Sequence, residues 1–192
     1  MAEIKPEKAG DLSNETQNLL AMSEISLQLD TYDDIFSDFD PRPYTNRSLS
    51  IDFLEEAKRA SRDLPFGAIE LKLLIPNSVR SIGKEALIKK RLREHFLKHY
   101  NRSRREMNSV IVQGAVFVLV GIVLMFFASY MLFKGQTTTT LFGSFMLVLL
   151  EPAGWFFIWE GMAQIIFESK EKRPNTEFYR KMSECRITFI PF

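Results

Sequence analysis

The stretch that decides the fold is VIVQGAVFVLVGIVLMFFASYMLF, residues 110–133, whose 24 residues include no ionisable side chain. As an α-helix it would extend roughly 36 Å, enough to cross the hydrocarbon core of a bilayer. A second apolar stretch, LFGSFMLVLLEPAGWFFIW at 141–159, is interrupted only by Glu151. Because seven residues separate the two stretches, the sequence predicts a transmembrane helical hairpin.

Basic residues predict the orientation of this hairpin. Eight Lys or Arg residues lie in the range 88–107 and five lie in the range 170–181, whereas the connecting loop contains only Lys134. Since Lys and Arg concentrate on the cytoplasmic side, we expect both termini in the cytoplasm of a cell with the hairpin in its inner (plasma) membrane. The first twenty residues are polar, so the first span is expected to act as its own insertion signal. Cys185 would then be a reduced thiol.

Alternating apolar residues predict three strands in the rest of the chain, in EISLQLD (24–30), AIELKLLIP (68–76) and CRITFI (185–190). We expect a short helix capped by Ser50, a basic helix that starts near Lys84 and continues into the first span, and an interruption of any later helix at Pro174. The predicted fold class is therefore an α+β membrane protein, in which a small cytoplasmic α/β domain is built from both flanks of the hairpin.

These patterns divide the chain into six predicted segments. They are a disordered segment at 1–22, a cytoplasmic α/β region at 23–107 that ends in the basic juxtamembrane helix, a first transmembrane helix at 108–134, a short external loop at 135–140, a second transmembrane helix at 141–167, and a cytoplasmic segment at 168–192 whose strand joins the α/β domain.

Charge is divided unevenly along the chain. Residues 1–60 contain 13 acids and 6 bases, whereas residues 61–107 contain 12 bases and 5 acids. Anionic lipid headgroups attract a juxtamembrane basic segment by about 1 kcal/mol per cation. We therefore expect headgroup contact from Lys89, Lys90, Arg91, Arg93, Arg102, Arg104 and Arg105. The acidic stretch DDIFSDFDPRP at 33–43 is expected to anchor its aromatic rings on the domain and to direct its carboxylates at the basic helix.

Motif searches argue against several function classes. The stretch at 33–43 lacks the glycine and the alternating oxygen ligands of a calcium loop. His95 and His99 share a helix face, but two ligands do not complete a zinc site. Nucleotide-binding, hydrolase and redox motifs are absent, and a polybasic segment beside a membrane is better explained by lipid than by nucleic acid. We expect no catalytic residue, no metal, no cofactor and no nucleic-acid partner.

Glu151 is the main candidate for a functional residue, because it would lie near the middle of the membrane. An acid at a helix centre costs about 2.5–3.5 kcal/mol on translocon-based scales. Residue 152 is proline and has no backbone N–H, so the carbonyl of Val148 lacks its usual helical donor. A neutral Glu151 could donate a hydrogen bond to this carbonyl instead. It could instead join an interface between chains, or form part of an ion or proton pathway.

Small residues support association as an interpretation. Ser144, Leu147, Glu151, Gly154, Ile158 and Gly161 recur at three and four along the second helix, and Gly114, Gly121 and Ala128 recur every seven along the first. Small residues on one face let helices approach closely. An antiparallel register would place Gly121 opposite Glu151. Trp155 and Trp159 are expected at the inner interface of the membrane.

Three segments carry a family resemblance: DPRPYTNRSLSIDFLEEA (40–57), LIKKRLREHFLKHYNRSRRE (87–106) and GWFFIWEG (154–161). Over about residues 40–165 the chain resembles uncharacterised prokaryotic two-pass membrane proteins, which share an R-P-Y/L-S-type segment and a G-W-x-x-x-W segment. The resemblance implies a hairpin in a prokaryotic inner membrane, and no activity. We expect a non-enzymatic membrane anchor that forms homo-oligomers or joins another membrane protein, with a small ion or proton pathway centred on Glu151 as the alternative.

Overall fold

The computed structural model describes residues 24–62, 64, 69–135 and 140–192. This part of the chain is mostly helical, with one three-stranded parallel sheet and two long apolar helices. It forms two compact units: a sheet unit, Met1–Tyr100 with Glu177–Phe192, and a hairpin unit, Asn101–Thr176. The predicted disordered segment 1–22 and positions 136–139 of the predicted loop lie outside the described residues.

The sheet contains β1 (Glu24–Gln28), β2 (Glu70–Ile75) and β3 (Arg186–Pro191), in the order β1-β2-β3. All three predicted strands are confirmed. Both pairings are parallel, and Leu71 of the central strand lies level with Ile25 on one side and Ile187 on the other. Because β3 follows the hairpin in sequence, the sheet joins segments from both flanks of the apolar stretches, as the sequence predicts.

Alternation along the strands gives the sheet one apolar and one polar face. The buried face supplies Ile25, Leu27, Leu71, Leu73, Ile187 and Phe189 to the core. On the opposite face Lys72 forms an ion pair with Glu24, and the Thr188 hydroxyl donates to Glu70 at 2.7 Å. These polar contacts allow the second face to remain open to solvent.

Four helices complete the described fold, besides short 3₁₀ turns at Tyr32–Ile35 and Asn77–Val79. Helix α1 (Ile51–Ala60) buries Phe53 and Ala57. Ser50 occupies its N-cap position, as predicted, but the Ser50 side chain makes no capping hydrogen bond. The helix is therefore held by its buried face rather than by its cap.

Helix α2 (Ile82–Phe133) has 52 residues and continues without a break from the basic segment through the first apolar stretch. This confirms the prediction that the basic helix continues into the first apolar stretch. Ile88, Leu92 and Phe96 are fully buried in the core of the sheet unit. Their spacing of four places them along one face of the helix.

Helix α3 (Leu141–Ala163) is followed by a π-helical turn at Gln164–Glu168 and then by α4 (Ser169–Glu184). The predicted interruption at Pro174 is wrong, because Pro174 lies inside α4. A helical proline forfeits one backbone hydrogen bond, but Phe178 and Met182 of α4 are buried in the core of the sheet unit. Burial of such side chains is worth about 1.5–3 kcal/mol each, which outweighs the lost bond.

Candidate functional site: the glycine seam and Glu151

Four glycines form the contact between α2 and α3 in the hairpin unit, which we call the glycine seam: Gly114, Gly121, Gly154 and Gly161. A Cβ atom added to Gly121 would stand 2.7 Å from the carbonyl oxygen of Gly154. One added to Gly114 would stand 2.7 Å from the carbonyl oxygen of Gly161. Real Cβ atoms do not approach backbone this closely, so the two helices pack at a separation that only glycine permits.

The register of the hairpin differs from the predicted one by about one helical turn. Gly121 lies against Gly154 and Ile158, whereas the sequence placed it opposite Glu151. The predicted face of α3 is divided between the seam and the exposed surface. Gly154 and Gly161 are buried in the seam, while Ser144 and Glu151 are exposed on the outer surface of the hairpin.

Glu151 has no partner within the described hairpin. Its carboxyl group makes no hydrogen bond or ion pair with any residue in the described ranges, the carbonyl of Val148 included, and α3 continues through Pro152. Glu151 lies about ten residues after the helix N-cap Thr140, roughly 15 Å along the axis. That is half the thickness of a hydrocarbon core.

Apolar side chains cover most of the outer surface around Glu151. Only 17% of the most apolar window of α2 is buried inside the chain's own fold, and only 6% of the corresponding window in Leu141–Glu184. A core helix of a water-soluble protein would be mostly buried. Both helices are long and apolar enough to cross a membrane. Pro152, Trp155 and Trp159 also lie on this exposed surface.

Side-chain hydrogen bonds in the hairpin unit occur beyond the apolar stretches, one of them between two helices and one along a single helical segment. Ser103 of α2 and Thr176 of α4 are buried and share a hydrogen bond of 2.7 Å between their hydroxyl groups. The side-chain amide of Gln164, in the π-helical turn, donates to the carboxylate of Glu160 at 3.1 Å. The helix pair is therefore apolar and glycine-packed along the seam and hydrogen-bonded at this end.

The seven predicted headgroup-contact residues divide into two groups. Lys89 and Arg91 are half-buried in the sheet unit: the Lys89 ammonium lies 5.5 Å from the Phe189 ring centre, and the Arg91 guanidinium donates to the carbonyl of Arg47 at 3.1 Å. Exposed positions are held by Lys90, Arg93, Arg102, Arg104 and Arg105. Only the exposed group has the accessibility that headgroup contact requires.

The acidic stretch at 33–43 is arranged differently from the prediction. Two of its carboxylates pair with arginines close by in the sequence rather than with the basic helix: Asp33 pairs with Arg47 at 2.5 Å, and Asp40 pairs with Arg42 at 2.7 Å. The Arg42 guanidinium holds the pKa of the Asp40 carboxyl well below its usual range. Phe36 is buried as predicted, but Phe39 is 97% exposed. Arg42 and Arg47 are nearer in the sequence than the basic helix, so less chain has to be ordered to bring them to these acids.

A buried polar cluster at the start of α2 has no signal in the sequence. Glu85 is buried and accepts hydrogen bonds from the Arg80 guanidinium at 2.8 Å and from the Tyr32 hydroxyl at 3.3 Å. The Tyr32 hydroxyl in turn accepts from the backbone N–H of Ser81 at 2.9 Å. Burial raises the pKa of Tyr32. The cluster connects the segment after β1 to the first turn of α2.

His95 and His99 lie on one helix face, as their spacing predicts, but they stack instead of converging on a point. Their ring centres are 4.1 Å apart, and the His99 ring stacks on Tyr179 at 5.1 Å. The buried Nε2 atom of His95 has no hydrogen-bond partner among the described residues. Burial, with the nearby His99, Arg91 and Lys98, lowers the pKa of His95 to about 4. Within the described ranges, no group of three or more His, Cys, Asp or Glu side chains could hold a metal ion.

Comparison with protein-family models, with curated proteins and with solved structures finds no match to this chain. The resemblance to prokaryotic two-pass membrane proteins therefore stays a prediction.

Proposed function

We propose that this chain is a non-enzymatic integral membrane protein that self-associates or joins a complex through its hairpin, with the sheet unit as a cytoplasmic interaction domain. The observation that carries the proposal is the exposed position of Glu151. The contact between α2 and α3 is made by the glycine seam, and Glu151 lies outside this contact on the exposed surface. A polar group exposed to lipid is costly, and a hydrogen-bonding partner outside the hairpin removes that cost.

Membrane insertion is supported by exposure as well as by length. Few residues in the apolar stretches of either helix are buried within the chain's own fold, and large uncovered apolar surfaces mark interaction with lipid or protein. The exposed basic residues 90–105 and the bases of α4 support an orientation with both termini in the cytoplasm. In that orientation Lys90, Arg93, Arg102, Arg104 and Arg105 would contact anionic headgroups.

An ion or proton pathway centred on Glu151 is the second candidate. A pathway within one hairpin would have to pass between α2 and α3, where Gly121 and Gly154 are in backbone contact. Glu151 instead lies on the outer surface. A pathway would therefore require several chains with their Glu151 faces turned toward a shared axis, which makes association the prior condition of transport.

The test measures mass and ion flux together. The wild-type chain and Glu151→Gln would be purified in a mild detergent, and their masses would be compared with the 22.3 kDa of one chain. Both proteins would then be reconstituted in vesicles, in which proton and cation flux would be measured. Association without flux in either protein supports the proposal. Flux in the wild type that is lost in Glu151→Gln, with the assembly intact, would favour the pathway. A wild-type chain that is monomeric in vesicles and has no partner in native membranes would refute the association.

A further inference from the structure

We infer that the partner of Glu151 is the Glu151 of a second copy of this chain, in a two-fold dimer formed by one outer stripe of α3. The inference deepens the proposed function and depends on it. The stripe, called the acid stripe here, consists of Ser144, Val148, Glu151 and Trp155, which recur at four, three and four residues and so share a helix face. All four are exposed, and none belongs to the glycine seam.

Membrane insertion limits which residues of two chains can meet. Copies inserted by the same signals share one orientation, so a two-fold axis relating them lies along the membrane normal. Such an axis keeps every residue at the depth of its counterpart. Glu151 of one chain can therefore meet only those residues of another chain that lie at its own level in the membrane.

At that level the rest of the hairpin surface is apolar. The seam contacts of Gly121 with Gly154 place the part of α2 near residue 124 level with Glu151. The exposed side chains of α2 around that level are Ile122, Val123, Phe126 and Phe127. A second copy that presented α2 would leave both carboxyl groups facing hydrocarbon. A copy that presents its acid stripe brings Glu151 against Glu151.

The chemistry of the carboxyl group makes this contact self-complementary. A neutral carboxylic acid has one O–H donor and a free carbonyl acceptor, so two facing acids can donate to each other and accept from each other. No third group is required. Ser144, two turns away on the same stripe, is small and polar, which permits close approach of two helices at the outer side of the contact.

Cysteine cross-linking in native membranes tests the stripe directly. The background is Cys185→Ser, which removes the chain's single cysteine. Two matched pairs then compare neighbouring exposed positions at nearly the same depth: Ser144→Cys with Phe145→Cys, and Val148→Cys with Leu149→Cys. The first member of each pair lies on the acid stripe, and the second is turned by about 100° around the helix. We expect a disulfide-linked species of twice 22.3 kDa from the stripe positions only.

Substitutions of Glu151 in the Ser144→Cys chain test the chemistry. Glu151→Gln keeps a donor and an acceptor on an uncharged group, so cross-linking is expected to persist. Glu151→Leu removes both, and we expect the dimer association constant to fall roughly three- to thirty-fold, the range for interhelical hydrogen bonds. Far-UV circular dichroism of each variant would confirm that the helices are retained.

The outcomes separate this inference from the proposed function. Equal cross-linking at stripe and control positions, an adduct of another size, or unchanged association of Glu151→Leu would overturn the acid-stripe dimer. If the mass measurement still showed assembly, the proposed function would stand with a different interface. A monomeric, partnerless wild-type chain would remove both.

Discussion

Gly121 of α2 and Gly154 of α3 touch through their backbones: a Cβ atom on Gly121 would stand 2.7 Å from the carbonyl oxygen of Gly154 and 2.9 Å from the backbone nitrogen of Ile158. The obstacles are main-chain atoms, which cannot move aside as the end of a flexible side chain can. The contact therefore fixes both the spacing and the register of the hairpin, and with them the outward direction of Glu151.

Gly121→Ala is expected to destabilise the hairpin unit by about 1–3 kcal/mol, the usual cost of overpacking a close contact. Trp155 and Trp159, the only tryptophans of the chain, both lie on α3, so their fluorescence during a denaturing-detergent titration reports on this unit. Gly83→Ala is the control, because a Cβ there meets nothing within 4 Å and alanine favours helix. Equal stability of Gly121→Ala and the wild type would contradict the observed seam.

Glu85→Ala is expected to destabilise the sheet unit by about 2–3 kcal/mol, because the Arg80 guanidinium and the Tyr32 hydroxyl lose their buried acceptor. Cys185 is buried, so its reaction with a thiol reagent during a urea titration reports the opening of this unit. The control is Glu56→Ala, which removes the exposed ion pair with Arg59. A surface pair contributes about 0–1 kcal/mol. If the two variants unfold at the same urea concentration, the cluster does not hold α2.

Acid is expected to weaken the sheet unit through His95. Because burial lowers the pKa of His95 to about 4, against about 6.5 in an unfolded chain, the unfolded state binds the extra proton. The stabilisation is complete above about pH 6.5 and is lost as the pH falls toward 4, with roughly 2 kcal/mol lost by pH 5. Urea titrations at pH 7.5 and 5, read by Cys185 with a pyridyl disulfide that reacts at both values, measure this.

His95→Phe is the matched variant, since it keeps a ring against His99 and removes the titration. Its unfolding midpoint should change less between the two pH values than that of the wild type. An identical pH response in both proteins would show that His95 is not the titrating group.

The proposed topology predicts that Thr138→Cys reacts with an impermeant maleimide added outside intact cells. Thr138 lies outside the described residues. Native Cys185 is a poor reporter of the inner side, because it is buried and burial raises its pKa to about 11. Glu184→Cys and Lys170→Cys, both at exposed positions, should react only after the membrane is permeabilised. Each would be made in the Cys185→Ser background, and labelling of either one in intact cells would reverse the orientation.

Local patterns in the sequence were sufficient to predict most strands and helices but not the tertiary contacts between them. The alternation of Ile25 and Leu27 and the spacing of Ile88, Leu92 and Phe96 predict strands and a helix because burial follows these periods. The prediction that Pro174 would interrupt the helix was wrong, since burial of Phe178 and Met182 elsewhere on α4 outweighs one missing hydrogen bond.

The sequence predicted which residues belong to the candidate site but not how they are arranged. Gly114, Gly121, Gly154, Gly161 and Glu151 could all be selected from their types and depth. Which of them pack inside one hairpin depends on the register of α2 against α3 and on how each helix is rotated about its own axis. The packing of Gly154 against Gly121 leaves Glu151 on the exposed surface. The cluster of Tyr32, Arg80 and Glu85 depends on a contact between residues 53 positions apart, which no local pattern predicts.

The position of β3 has a consequence for biosynthesis. β2 is the central strand of the sheet and pairs with β3 along its whole length, yet β3 (Arg186–Pro191) follows both apolar helices in the sequence. Until a ribosome has made both apolar helices and β3, one edge of β2 has no partner. A nascent chain stalled after the hairpin would expose that edge to pairing with other chains, so the sheet can be completed only after the hairpin has been synthesised.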